Sequence, residues 1–106
     1  MIDGDTIMIG QRTIRVIGID APEIHPARCA EEARLGEAAA QRLLELVNQG
    51  PFTLAGPEPV VHDEYGRELR HLLRARPDGL VQSLADDMVA SGTARAYLRG
   101  PRVPWC

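Results

Sequence analysis

Asp5 and Asp20 carry the most direct chemical meaning in this chain. Asp3-Gly4-Asp5-Thr6 opens one β-branched run, and Asp20-Ala21-Pro22-Glu23 closes the next. A tight turn near Gly10-Gln11 would fold the two runs into a hairpin and set Asp5 beside the end of the second run. Asp5 and Asp20 could then converge on one side, with Arg15 nearby in sequence. Carboxylate oxygens on paired strands suit a hard cation such as Ca2+ or Mg2+. The same residue types also favour turns and loops for backbone reasons alone, and spacing does not separate the two readings. Asp63-Glu64-Tyr65-Gly66-Arg67 is a second cluster. It reads either as a polar β-turn before a strand or as a phosphate contact. In the second case Arg67 presents its planar guanidinium, and Tyr65 adds a stacking or hydroxyl contact to a nucleotide.

The elements that must position these residues follow from periodicity and turn chemistry. Residues 2–9 and 13–19 are rich in Ile and Val and read as a hairpin split at Gly10. Residues 20–30, with Pro22 and Pro26, read as an ordered loop. Residues 31–48 read as a helix with Leu35, Ala39, Leu43, Leu46 and Val47 on its apolar stripe, ended by Gly50-Pro51. Residues 52–61 suggest one or two short strands broken at Gly56-Pro57. A polar turn over 62–66 leads to a strand over 68–75, and Pro77-Asp78-Gly79 marks another turn. Leu80, Leu84 and Met88, spaced by four, predict a second helix over 80–91 with Gly92 at its stop. A last strand over 93–98 and an irregular tail close the chain. This order, with such short strands, points to a small barrel with helices packed on it.

Composition bounds the rest. The chain has 106 residues, enough for one domain with a modest core. Apolar residues make up 44% and charged residues 25%, a globular balance, and aromatics at 4% leave the core to aliphatic side chains. There is no Lys, so the 12 basic residues are all Arg and only guanidinium groups can meet phosphates. A net charge of −3 excludes a domain that is basic all over. No apolar run is long enough for a membrane span, and no signal peptide is read in the sequence. Cys29 and Cys106 are compatible with one disulfide or with two unrelated thiols, and no further close Cys or His pair completes a zinc site. His25, His62 and His71 read as scattered surface or loop residues. Trp105 reads as a packing anchor for the tail. Glu31, Glu32 and Glu37 suit the positive end of the first helix. Arg70, Arg74 and Arg76 read as a solvated strand face or as an extension of a phosphate track.

Several segments together resemble the staphylococcal nuclease-like (thermonuclease) family. They are DGDTI (3–7), IRVIGIDAPE (14–23), CAEEARLGEAAAQRLLEL (29–46), DEYGREL (63–69), the Asp78-Gly79 turn, MVASGTARAY (88–97) and the terminal Trp105-Cys106. The resemblance covers nearly the whole chain, residues 1–106, as a single domain. It implies an α+β, mainly β fold: a five-stranded OB-fold barrel with two to three helices and a first strand shorter than usual. It implies Ca2+ held by Asp5, Asp20 and the backbone carbonyl of Ala21. Glu23 becomes the general base or the residue that orients the attacking water, and Arg15 and Arg67 grip the scissile phosphate. Tyr65 and Tyr97 lie near the nucleotide. Cys29 and Cys106 form one disulfide, as in exported members, which implies a secreted or periplasmic protein. The expected activity is Ca2+-dependent hydrolysis of DNA and RNA with little sequence preference, by a monomer without membrane contact. The rival expectation is a non-catalytic module that binds nucleic acid or a protein. The negative net charge predicts weak, salt-sensitive nucleic-acid affinity.

Overall fold

A computed structural model describes residues 3–24, 26–97 and 100–106. Ile2 at the start of the predicted first strand, His25, Leu98 at the end of the predicted last strand, and Arg99 lie outside the described residues. The elements run β1 (Thr6–Ile9), β2 (Arg12–Val16), β3 (Ile19–Asp20), α1 (Ala30–Val47), β4 (Thr53–Ala55), β5 (Glu68–Ala75), β6 (Val81–Ser83), α2 (Leu84–Ala90) and β7 (Arg95–Ala96).

The predicted hairpin is present. β1 and β2 pair antiparallel, with Thr6 opposite Arg15 and Ile9 opposite Arg12. Gly10 turns the chain in the left-handed region at φ 61°, which a side chain would resist. β2 then runs parallel to β5, Ile14 opposite Glu68. β5 also takes β4 and β6 as antiparallel neighbours. β3 pairs with β7 in a separate ribbon, Asp20 opposite Arg95. The fold is therefore mainly β, a mixed five-stranded sheet with two helices.

The expected closed barrel does not form among the described residues. β1 has β2 as its hydrogen-bonded strand neighbour and β4 has β5, so the sheet keeps open edges. β3 has two residues and β4 three, too short to reach a second partner and close the ring. The predicted strand over 52–61 likewise shrinks to Thr53–Ala55. The second helix also differs. Val81–Ser83 is a strand, and the helix begins only at Leu84. The four-residue spacing misleads here because Leu80 faces water, at 62% exposure, while Leu84 and Met88 are buried. The Pro77-Asp78-Gly79 turn folds Val81–Ser83 back onto β5, and ladder hydrogen bonds outweigh local helix preference.

The core is aliphatic, as composition required. Ile7, Ile14, Val16 and Ile19 from the strands meet Ala39, Leu43 and Leu46 from α1, with Leu72, Leu84 and Met88 beside them. Two glycines let backbone approach α1 closely. A Cβ on Gly4 would lie 2.5 Å from the Cβ of Ala39. A Cβ on Gly36 would lie 2.8 Å from Cγ1 of Ile24 and 3.0 Å from the carbonyl oxygen of Pro22. Both contacts press the segments that carry Asp5 and Glu23 onto the helix.

Arg70 and Arg74 are neither a solvated face nor a phosphate track, and Glu32, in the first turn of α1 as expected, is also buried. Arg70 is buried, with ion pairs to Glu58 and Glu68. Arg74 donates to the carbonyls of Leu46, Gly50 and Pro51, capping the C-terminal end of α1. Glu32 is fully buried, and its carboxylate accepts from the backbone N–H of Arg28 and of Glu23. Arg76, in contrast, pairs with Asp78 at the surface turn.

Cys29 and Cys106 form the disulfide, with Cα atoms 6.2 Å apart and 77 positions between them. Cys29 is also the N-cap of α1, its Sγ accepting from the N–H of Glu32. The tail is thereby anchored at the start of the helix. In the chain-entropy account a loop of this length stabilises the fold by about 4 to 5 kcal/mol. Cys106→Ser should therefore lower Tm by roughly 10 °C or more in non-reducing buffer. In excess reductant the variant and the wild type should melt together; an equal gap in both buffers would show that the bridge is not what the substitution removes.

Glu68 sets an acid dependence. Arg12 grips both of its carboxylate oxygens at 2.7 Å. Those hydrogen bonds and the nearby charges of Arg12 and Arg70 outweigh burial and lower its pKa from 4.5 to about 2. A depressed carboxylate stabilises the fold above its unfolded pKa, and that contribution disappears as pH falls toward 2. Arg12→Ala should melt below wild type at pH 6, and the gap should narrow steadily between pH 4.5 and pH 2. A gap independent of pH would assign the loss to packing of the Arg12 stem.

Candidate active site

The end of the hairpin gathers the predicted residues. Asp5 precedes β1, Arg15 lies in β2, Asp20 ends β3, and Ala21 and Glu23 follow at once. Thr6 stands opposite Arg15, and the N–H of Val16 donates to the Asp5 carbonyl at 2.8 Å, so the strands fix Asp5 and Arg15 side by side. Asp5 Oδ2 lies 3.4 Å from Arg15 Nη1 and accepts from the N–H of Ala21 at 3.2 Å. Its Oδ1 accepts from the Thr6 hydroxyl. Asp5, Arg15, Asp20 and Ala21 are all buried.

Arg15 is held by backbone on its other side. It donates to the carbonyl of Val16 at 2.8 Å and to that of Ile19 at 2.9 Å. One guanidinium thus clamps β2 to the start of β3 while neutralising Asp5. Asp20 is buried beside the tail. Its Oδ2 accepts from Trp105 Nε1 at 3.4 Å, and its buried Oδ1 has no hydrogen-bond partner.

Glu23 borders a cleft of about 590 Å³ lined by Asp3, Arg28, Tyr65, Arg67 and Arg102. Burial pushes its carboxyl above the ordinary glutamate value, and the charges of Asp3 and Asp5 and a hydrogen bond with Asp3 add to the rise. Arg102 acts in the opposite direction. Asp3 is itself buried and anchors the loop by accepting from the N–H of Ile24 at 3.1 Å.

Arg67 enters the cleft from the 63–69 turn. Asp63 shapes that turn, its Oδ1 accepting from the N–H groups of Tyr65 and Arg67. Its Oδ2 accepts from Arg67 Nε at 2.6 Å, and Arg67 Nη1 reaches the Thr6 hydroxyl at 3.2 Å. Burial would raise the Asp63 pKa, but these hydrogen bonds from Arg67 and Tyr65 hold it below its ordinary value. Tyr65 is 76% exposed, with Arg67 5.5 Å from its ring centre. Tyr97 stands apart from that cleft. It lines a smaller neighbouring one of about 220 Å³, with its hydroxyl donating to the Gly100 carbonyl.

The tail supplies what the motif pattern did not. Arg102 Nη1 lies 3.2 Å from Glu23 Oε1, and its Nε lies 3.6 Å from Asp20 Oδ1. Burial alone would lower the Arg102 pKa; Asp20, Glu23 and Asp5 carry it upward. Arg95 stacks on the Trp105 ring at 3.7 Å and donates to the Val103 and Pro104 carbonyls. Trp105 anchors the tail, as expected, but it does so beside Asp20. Arg102 carries no spacing signal toward the site, whereas Asp3 and Glu32 lie in the quoted 3–7 and 29–46 segments without a role being read for them there. The run of Arg without acids in the tail was the one available hint for Arg102.

Among the described residues, no group of three or more His, Cys, Asp and Glu side chains makes a metal cage. The two buried aspartates and the unpartnered Asp20 Oδ1 fit a hard cation that takes its remaining oxygens from water and substrate.

No curated protein matches the chain. The family model described as staphylococcal nuclease homologue matches residues 13–103. That span contains Arg15, Asp20, Glu23, Arg67 and Tyr97; Asp5 precedes it. Since the match covers most of its length, the chain belongs to the staphylococcal nuclease homologue family.

Proposed function

We propose that this protein hydrolyses phosphodiester bonds in DNA and RNA with little sequence preference, in a Ca2+-dependent reaction. The reading is supported by two neighbouring clefts that share Arg102: Glu23 and Arg67 line the first, Arg15 lines the second, and the buried Asp5 and Asp20 pair with Arg15 and Arg102 respectively. Asp5 and Asp20, with the Ala21 carbonyl, would hold the cation. When bound, it supplies positive charge to the phosphate oxygens on which negative charge develops. Arg67 would bind the phosphate through its guanidinium, oriented by Asp63. Arg15 holds the Asp5 carboxylate in place and adds charge at the same point. Glu23 would accept the proton of the attacking water. Its raised pKa brings it closer to neutrality and makes it a stronger base than an exposed glutamate. Contacts confined to phosphate and sugar carry no base information, which accounts for loose specificity. Tyr65, exposed at the rim, offers a face for a base of single-stranded substrate. Tyr97 lies farther from Glu23 and would meet the strand beyond it. The strand pairings are those an OB-type barrel would share if its edges met. The disulfide supports a place outside the reducing cytoplasm.

The deciding experiment is cleavage of single-stranded DNA at low salt with Ca2+, with Mg2+ and with excess chelator. Ca2+-dependent cleavage that the chelator abolishes is expected. Glu23→Gln and Arg67→Lys should each lose roughly a hundredfold or more in turnover, with Tm within a few degrees of wild type. Binding without cleavage by folded protein in all conditions would make the domain a non-catalytic nucleic-acid module. A fall in Tm matching the loss of activity would make Glu23 and Arg67 structural.

A further inference from the structure

Arg102 lies within the span the family model matches but in none of the short motifs that carry the resemblance, and it pairs with two of the carboxylates of the site. Its guanidinium spans from Glu23 Oε1 to Asp20 Oδ1. Among the described residues it is the cationic group that pairs with Asp20 Oδ1, a buried oxygen without a hydrogen bond. Its position is built, not incidental. The segment from Gly100 to Cys106 is fastened at the Tyr97 hydroxyl, at the Arg95 guanidinium, at the Trp105 ring and at the disulfide. Arg102 lies between these fastenings.

We infer that Arg102 is a resident cation of the Asp20–Glu23 site, which a divalent metal ion must displace in order to bind. This rests on the proposed cation dependence and deepens it. The reasoning is electrostatic. A hard cation sits about 2.3 to 2.6 Å from each ligand oxygen. A cation on Asp20 Oδ1 would therefore lie within about 6 Å of Arg102 Nε, whose present distance from that oxygen is 3.6 Å. Arg102 and the cation would compete for that same unpartnered oxygen, and two positive charges so close in a half-buried cleft repel more strongly than in bulk water; Arg15 differs, because the Val16 and Ile19 carbonyls hold it in place. The guanidinium must then swing out, giving up its contacts with Asp20 and Glu23. With no metal bound, it relieves repulsion among Asp3, Asp5, Asp20 and Glu23 that would otherwise go unopposed on this side. Arg102 thus sets how tightly the site holds a metal and keeps the tail over an unloaded site.

Calorimetric Ca2+ titration of the intact oxidised protein without substrate tests this. Trp105 is the single tryptophan and contacts Asp20, so its fluorescence reports movement of the tail independently of activity. Arg102→Gln should bind Ca2+ roughly tenfold more tightly or better than wild type. Arg102→Lys, which keeps the charge, should stay near wild type. Arg76→Gln removes the same charge from the Asp78 turn and should leave affinity unchanged. In the wild type Ca2+ should shift Trp105 emission. Equal or weaker binding by Arg102→Gln overturns the inference while leaving the metal reading intact. Equal tightening by Arg76→Gln also overturns it, since net charge would then explain the effect. Absence of Ca2+ binding by wild type and Arg102→Gln alike would sink both the metal reading and this one.

Discussion

Four carboxylates, Asp3, Asp5, Asp20 and Glu23, crowd the point where the hairpin meets the following loop. Their mutual repulsion, three of them being buried, is the constraint that the surrounding structure answers. Like charges in a poorly hydrated site persist only when opposite charges and N–H donors face them. Arg15 faces Asp5 from the adjacent strand, and backbone N–H groups face Asp3 and Asp5. Arg102 faces Asp20 and Glu23 from the tail. Such an arrangement is costly for a domain of this size and attracts positive charge. Arg15 and Arg102 are the cations that supply it.

Helix α1 turns this charge cluster into a rigid one. Its first turn buries Glu32, which holds the backbone of Glu23 and Arg28, and Gly36 lets the Pro22–Glu23 backbone lie against it. Its N-cap is Cys29, so the disulfide joins the helix start to the end of the chain. The loop bearing Glu23 is therefore fixed from below by the helix and from above by the tail. In the proposed reaction Glu23 would need this support, because small misplacement is expensive in rate.

Much of this was legible along the chain. Local signals were strong where one element satisfied itself: the Gly10 turn, the stripe of α1, and the 68–75 strand. The charged residues at the site were legible because they fall in short motifs on adjacent elements, where pairing of Thr6 with Arg15 follows from one tight turn. Local signals failed where a distant partner decided. Val81–Ser83 reads as helix until β5 offers it a ladder. Arg70 and Arg74 read as surface until Glu58, Glu68 and the carbonyls at the end of α1 are placed beside them.

The sequence by itself determined the aliphatic core, the first helix, the hairpin and the family, because these depend on residue type and short-range order. Only the tertiary structure decided that the sheet stays open, that Glu32 is buried under the loop, and that Arg102 reaches Asp20 and Glu23. The physical reason is separation. Arg102 lies 79 positions from Glu23 along the chain. No periodicity records so distant a contact; it exists because the disulfide and the Trp105 anchor bring the last residues back across the site.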